Sequence, residues 1–208
     1  MPNNTATILE ITGPEKDILR FIEQAASKTY SNHKLDFNNF VPMPEELKGT
    51  EAPTRIMTQE EIDTEIAAWK EKEESGQPCF SSLNIGITQE VYDKLIKDYG
   101  CSNWYGRTKK HWGTKWNSYE NGDWNICNDE ATLYYETAWS PATAFYLNMS
   151  PQFPELTFKQ TYADEGGFYI GYNVIQNGKV IETLNAEWDS PTGIELQKRL
   201  GVYYEGDN

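Results

Sequence analysis

Cationic side chains are in the minority: 18 Lys and Arg stand against 32 Asp and Glu, for a formal charge of −14. Long-range repulsion at that charge works against broad binding to DNA, RNA or an anionic membrane. Screening over about 8–10 Å still leaves room for a local basic patch. Histidine is scarce, with His33 and His111 alone, so few imidazoles are at hand for general-base or nucleophilic catalysis. Cys79, Cys101 and Cys127 make an odd count without repeated spacing. No disulfide framework is implied, and a reducing cytoplasm is the expected compartment. No apolar run approaches the ~20 residues of a membrane span, and the first residues carry neither the basic nor the apolar part of a leader. Phosphate-loop and dinucleotide fingerprints are missing as well.

Aromatics are plentiful, at 13% of 208 residues, with 7 Trp and 13 Tyr. Such rings fill a core with large areas and carry one polar handle each. The length suits a single domain, residues 1–208, with an insertion.

The pattern along the chain predicts an α+β protein. Residues 5–12 read as a strand. A helix follows, with Thr12, Pro14 and Glu15 as its start signal and Ile18, Leu19, Phe21, Ile22 and Ala25 as its buried stripe. Residues 35–41 read as a second strand, stopped by Pro42 and Pro44. A Thr58/Glu61 capping box opens a helix over 58–74, and the S-G-Q-P stretch 75–78 breaks it. Thr88 caps a third helix to Tyr99, with Val91, Tyr92, Leu95 and Ile96 buried and Gly100 ending it. Residues 100–116 read as a loop. Strands are expected at 131–138 and 156–162 around a helix begun by Ser140-Pro141, which Pro151 ends. Asn177-Gly178 marks a hairpin between 167–176 and 179–186. Ser190-Pro191 starts a last helix, ended by Gly201. Without residues 45–130 the first six elements run βαββαβ, the order of the ferredoxin-like fold. The expected architecture is therefore a ferredoxin-like antiparallel sheet with helices on one face, an α-rich insertion at about 45–130, and an added C-terminal β-hairpin.

Two stretches carry candidate binding residues. Trp104, Arg107, Lys109, Lys110, His111, Trp112, Lys115 and Trp116, joined by Trp139, concentrate aromatic and cationic side chains on an acidic background. Trp112, Trp116 and Trp139 would stack on a base while Lys109, Lys110 and Lys115 meet phosphate. The same tryptophans would equally serve as anchors that pin an irregular loop to the fold. The second stretch is the acidic helix, with Glu60, Glu61, Asp63, Glu65, Glu71, Glu73 and Glu74. It offers itself to a protein partner, as an imitation of duplex phosphates or simply as a solvated face. Cys101, His111 and Cys127 match no zinc spacing. Asp164-Glu165 precede Gly166-Gly167 and look like turn residues rather than an acid–base pair. No metal, cofactor or catalytic residue is assigned.

Four motifs occur in order: N-F-V-P-M-P-E-E-L at 39–47, W-G-T-K-W-N at 112–117, T-A-W-S-P at 137–141 and Y-A-D-E-G-G-F at 162–168. Together they resemble the YubB-like, ferredoxin-like-domain family of plasmid and bacteriophage proteins. The resemblance implies a ferredoxin-like core and a mobile-element origin, and no particular activity. The functional expectation is a non-enzymatic accessory protein in the host cytoplasm. It would bind a host protein or a small nucleotide to counter host defence. The alternatives are an acidic nucleic-acid mimic that blocks a DNA-binding host enzyme and, behind it, a nucleotide hydrolase. A homodimer through an exposed sheet edge is compatible with this fold.

Overall fold

The elements run β1 (Asn4–Thr12), α1 (Glu15–Ala25), α2 (Gln59–Glu74), α3 (Gln89–Tyr99), α4 (Trp104–His111), β2 (Asn125–Cys127), β3 (Glu130–Ala138), α5 (Thr143–Met149), β4 (Thr157–Asp164), β5 (Ile170–Gln176), β6 (Lys179–Ala186) and α6 (Pro191–Leu200). They belong to a computed structural model that describes residues 3–28, 33–75 and 85–202. The break expected at 76–78, and Cys79, lie outside the described residues. The chain forms two compact units, Met1–Pro42 with Thr108–Asn208, and Met43–Arg107.

The first unit is a six-stranded sheet in the order β2-β3-β1-β4-β5-β6, antiparallel throughout. Its first four strands with α1 and α5 are the ferredoxin-like βαββαβ core, β3 lying between β1 and β2 as two interleaved βαβ units require. The second core strand is not the one expected. Residues 35–41 form no strand but a 3₁₀ turn, Phe37–Asn39. The backbone N–H groups of Lys34 and Leu35 donate to Asn121 Oδ1 (3.0 and 2.8 Å), and that of Phe37 donates to Asn117 Oδ1 (2.9 Å). Side-chain amides thus take the place of a ladder. The second core strand is the three-residue β2, joined to β3 through Asn128-Asp129, with Asn128 at φ 50°.

Period-2 alternation in β1 divides two cores. Leu9 and Ile11 face α1 and α5 in a cluster rich in aromatic rings. There Phe37 stacks on Phe145 (4.1 Å between centroids) and Phe21 on Phe40 (5.0 Å). Ile8 faces the other way, toward Leu196 and Leu200 of α6 with Ala163, Ile170 and Leu184. The helices of the ferredoxin-like core therefore share one face, while the appended α6 covers part of the other. Arg199 fixes α6 to the sheet through Glu10 (2.5 Å). One polar chain crosses the aromatic side: Tyr135 and Tyr146 hydroxyls meet at 3.0 Å, Gln160 Nε2 donates to Tyr135, and Thr143 Oγ1 donates to Gln160 Oε1.

Local signals decide several boundaries. Asn177 (φ 44°) and Gly178 (φ 75°) both take the left-handed backbone that a two-residue hairpin needs. Ser190 caps α6 through Gly193 N–H, and Gly201 ends it at φ 71°. Pro14 rather than Thr12 occupies the cap of α1, with no side-chain cap bond. Helix α5 ends at Met149, as expected, and Pro151 lies in the 3₁₀ turn, Ser150–Gln152, that follows it.

In the second unit the Thr58/Glu61 capping box opens α2, and Thr88 and Gly100 bound α3, as expected. Its small core is Leu47, Leu95 and Cys101, packed by Met43, Ile87 and Tyr99. Val91 and Ile96, expected to be buried, are exposed, because the helix presents little more than the Leu95 side to this thin core. The stretch 100–116 is not all loop. Asn103 Oδ1 accepts the Gly106 N–H (2.8 Å) and starts α4. The second unit ends at Arg107, so 108–130, expected within the insertion, belong with the sheet.

Two outcomes follow from this packing. Phe37→Ala removes a fully buried ring that stacks on Phe145, and should lower unfolding free energy in urea by about 3–5 kcal/mol. A loss below about 1 kcal/mol would contradict the packing. Burial pushes the Tyr135 phenol up to about 12 and that of Tyr146 well above its ordinary value. Both are raised acids held neutral in the folded state. The contribution of each is fully present below the unfolded value of about 10; that of Tyr135 is lost as pH rises through about 12, and that of Tyr146 falls away in the same direction. Urea titrations should show stability flat to about pH 9.5 and falling between about 10 and 12.

Candidate binding site

The register of β1 brings three chain segments to one end of the sheet. Asn4 lies opposite Ala138 of β3 and Thr5 opposite Asp164 of β4. Beyond β3 the chain turns at Trp139, and beyond β4 it turns through residues 164–169.

Trp139 has φ 74°, a left-handed conformation that a bulky side chain rarely adopts. The turn is held in place from several sides. Trp139 N–H donates to Asn3 O (2.9 Å), and its carbonyl accepts the Tyr169 hydroxyl (3.1 Å). Next to it Thr137 Oγ1 donates to Ser140 O (2.9 Å), and Ser140 Oγ donates to Gly113 O (2.6 Å). Tyr169 has one proton, committed to Trp139, so Thr5 Oγ1 donates in their 2.5 Å contact. Burial pushes Tyr169 up to about 12, which keeps that proton in place. The result is an indole fixed at its backbone and 50% exposed.

The W-G-T-K-W-N segment is laced to the same turn. Thr114 Oγ1 donates to Ala138 O (2.8 Å), and Lys109 Nζ reaches Ser140 Oγ (3.3 Å). Trp116 is exposed, with Lys115 Nζ 4.8 Å from its ring centroid. In the β4–β5 turn Asp164 Oδ2 accepts the N–H groups of Gly166 (2.9 Å) and Phe168 (3.4 Å). Asp164 is thus a turn residue, and the turn leaves Phe168 81% exposed. The Tyr119 hydroxyl donates to Asn4 Oδ1 (2.8 Å). Burial, and then the carboxylates of Glu136, Glu165 and Glu120, push Tyr119 up to about 12. This end of the sheet therefore offers three exposed rings, two protonated phenols, two lysines and several carboxylates.

The residues selected from sequence divide. Lys109, Lys115, Trp116 and Trp139 lie at this end of the sheet. Trp112 does not present a ring for stacking. It is 5% exposed, packs edge-on against Phe37 (5.7 Å) and donates Nε1–H to Val41 O (2.9 Å). Its role is to anchor the 35–41 segment to the core. Lys110 is exposed on the last turn of α4, and the His111 carbonyl accepts from Asn148 Nδ2 (3.0 Å). Trp104 and Arg107 belong to the second unit, where Trp104 N–H donates to Thr50 Oγ1 (2.9 Å). Sequence reasoning missed Phe168, Tyr119 and Tyr169. The only readable signal was an aromatic residue directly after Gly166-Gly167.

Several of the α2 acids are engaged within their own unit. Glu61 Oε2 accepts the Thr58 N–H of the capping box (2.8 Å), and Glu65 accepts two bonds from Arg55 (2.7 and 3.3 Å). Asp63 accepts from Gln59 Nε2 (2.9 Å). Glu60, Glu71, Glu73 and Glu74 are exposed. A hollow of about 690 Å³ lies beside Arg55, Ile56, Met57 and Glu60. Among the described residues no cluster of three or more His, Cys, Asp or Glu side chains is placed to hold a metal. Cys101 is buried and Cys127 exposed. No described helix is long and apolar enough to cross a membrane.

A comparison with curated proteins returns no match. Among solved structures the chain is similar to the crystal structure of a protein api92 from Yersinia pseudotuberculosis, at 11% identity and a TM-score of 0.47, covering 89% of this chain and 98% of that one. The family described as the ferredoxin-like domain in Api92-like protein matches residues 111–204. That match takes in β2 to α6, so most of the sheet is similar to a ferredoxin-like domain of that family.

Proposed function

We propose that the protein is a non-enzymatic binding protein that grips a protein target with the aromatic end of its sheet. The observation that carries this reading is Trp139, strained in its backbone, tethered by Asn3 and Tyr169 from two other segments, and half-exposed at its indole. Strain of roughly 1–3 kcal/mol persists where the surroundings over-determine it, and it concentrates at functional positions. Large rings held rigid at a surface are the usual anchors of protein interfaces. Trp116 and Phe168 extend the anchor. The proposed target is a host protein in the host cytoplasm, and the proposed effect an interference with host defence, a reading motivated by the sequence resemblance to mobile-element proteins.

A small nucleotide is the second reading. It is favoured by Lys115 over Trp116 and by Lys109 beside Ser140. It is weakened by the loss of Trp112 to the core and by the Glu120, Glu136 and Glu165 carboxylates, which repel phosphate. Mimicry of a duplex by α2 is weaker again. Its 16 residues span about 24 Å, and three of its acids serve local bonds.

Trp139→Gly separates binding from folding. Glycine tolerates the left-handed backbone, so the melting temperature should stay level or rise. Capture of the target from a bacterial host lysate should weaken by about tenfold or more. Capture at wild-type strength by this variant would contradict the proposal. Release of capture by added nucleotide, together with loss in Lys115→Ala, would favour the second reading.

A further inference from the structure

Between the β4–β5 turn and the last turn of α6 lies a cavity of about 310 Å³ lined by Glu165, Gly166, Gly167, Trp188, Gln197 and Val202. Its volume is at the lower end of the range for ligand pockets. Each wall has a definite chemistry. Gly167 sits over the five-membered ring of Trp188, where a Cβ would stand 3.5–3.8 Å from the ring atoms. The Gly167 backbone thus lies against that part of the indole, and Trp188 also lines the cavity. The backbone donors nearby are used: Gly166 N–H goes to Asp164 Oδ2 (2.9 Å) and Gly167 N–H to Asp164 O (3.0 Å). Gln197 is 5% exposed and donates Nε2 to Trp188 O (2.6 Å). Its Oε1 remains as an acceptor without a partner among the described residues. Glu165 is exposed and pairs with no Lys or Arg among the described residues.

The cavity thus combines an indole, a carboxylate and a carboxamide oxygen. All three attract positive charge, and the two glycine N–H groups that would hold an anion are spent on Asp164. We propose that this cavity takes an arginine side chain of the protein target, its guanidinium on Trp188 and its N–H groups on Glu165 and Gln197. Arginine suits it better than lysine, because a planar guanidinium stacks on an indole and presents several donors at once. The assignment rests on the reading of the sheet end as a protein-binding face. Glu165 and Phe168 share one turn, so a target seated on Phe168 stands beside the cavity.

The test is a titration of the full chain with N-acetyl-arginine methylamide, followed through the Trp188 indole N–H resonance and assigned with Trp188→Phe. N-acetyl-citrulline methylamide, of the same shape without the charge, is the control. A saturable shift with the arginine probe is expected, about tenfold weaker with citrulline and in Glu165→Gln. No saturable shift, or equal affinity for the two probes, overturns the assignment. Trp139→Gly lies outside the cavity and should leave the titration unchanged. If the arginine shift is absent while Trp139→Gly loses target capture, the cavity assignment alone falls. If the shift persists while Trp139→Gly captures normally, the reading of the sheet end falls.

Discussion

Strand β1 is hydrogen-bonded on both sides over almost its full length, to β3 through nine residue pairs and to β4 through eight. That double pairing fixes most of what matters in the first unit. It sends Leu9 and Ile11 to the aromatic core and Ile8 to α6. A slip of one residue would exchange these faces and drive Glu10 among the phenylalanines. The same register brings Asn3 and Asn4 against Trp139, Tyr119 and Glu165. The candidate site is the place where three strands, held in a set register, come to their ends together.

The two faces of the sheet do different work. On the α1 and α5 face, rings pack on rings and a buried chain of hydroxyls and one amide stays satisfied. Such a core is intolerant of change because its polar members have no water to turn to. The other face is covered in part by α6, and its packing leaves the cavity at Trp188. Rigidity on the first face supports exposure at the sheet end. Trp112 illustrates the division: buried and bonded to Val41, it holds residues 35–41 in place. Trp139, twenty-seven residues on, shows its ring to solvent.

Signals that act locally were legible in the sequence. Asn177-Gly178 specifies its hairpin, Thr58 with Glu61 and Thr88 specify helix starts, and Gly100 and Gly201 specify helix ends, because each satisfies backbone groups within a few residues. The βαββαβ order was legible too, but its second strand was assigned to the wrong residues. The run L-D-F-N-N-F-V looks like a half-buried strand. It becomes a 3₁₀ turn because Asn117 and Asn121, about eighty residues away, bond its backbone. No local pattern announces that. The real strand, Asn125–Cys127, is too short and too exposed to show an alternation. Trp112 and Trp139 look equivalent in the sequence, and only tertiary packing separates anchor from surface. The positive φ of Trp139 has no sequence signal, since nothing in T-A-W-S-P asks for glycine-like backbone.

An acidic chain that fixes several aromatic rings at one sheet end, with carboxylates around them, has the makings of a contact surface for a basic protein. Site-specific photo-crosslinking inside bacterial host cells tests this most directly. A photoreactive phenylalanine analogue placed at Phe168 should give a discrete protein adduct that disappears when Trp139→Gly is added, while the same analogue at Ile181 on β6 gives none. Adducts from position 181 or from α2, with none from position 168, would show that the protein meets its target elsewhere.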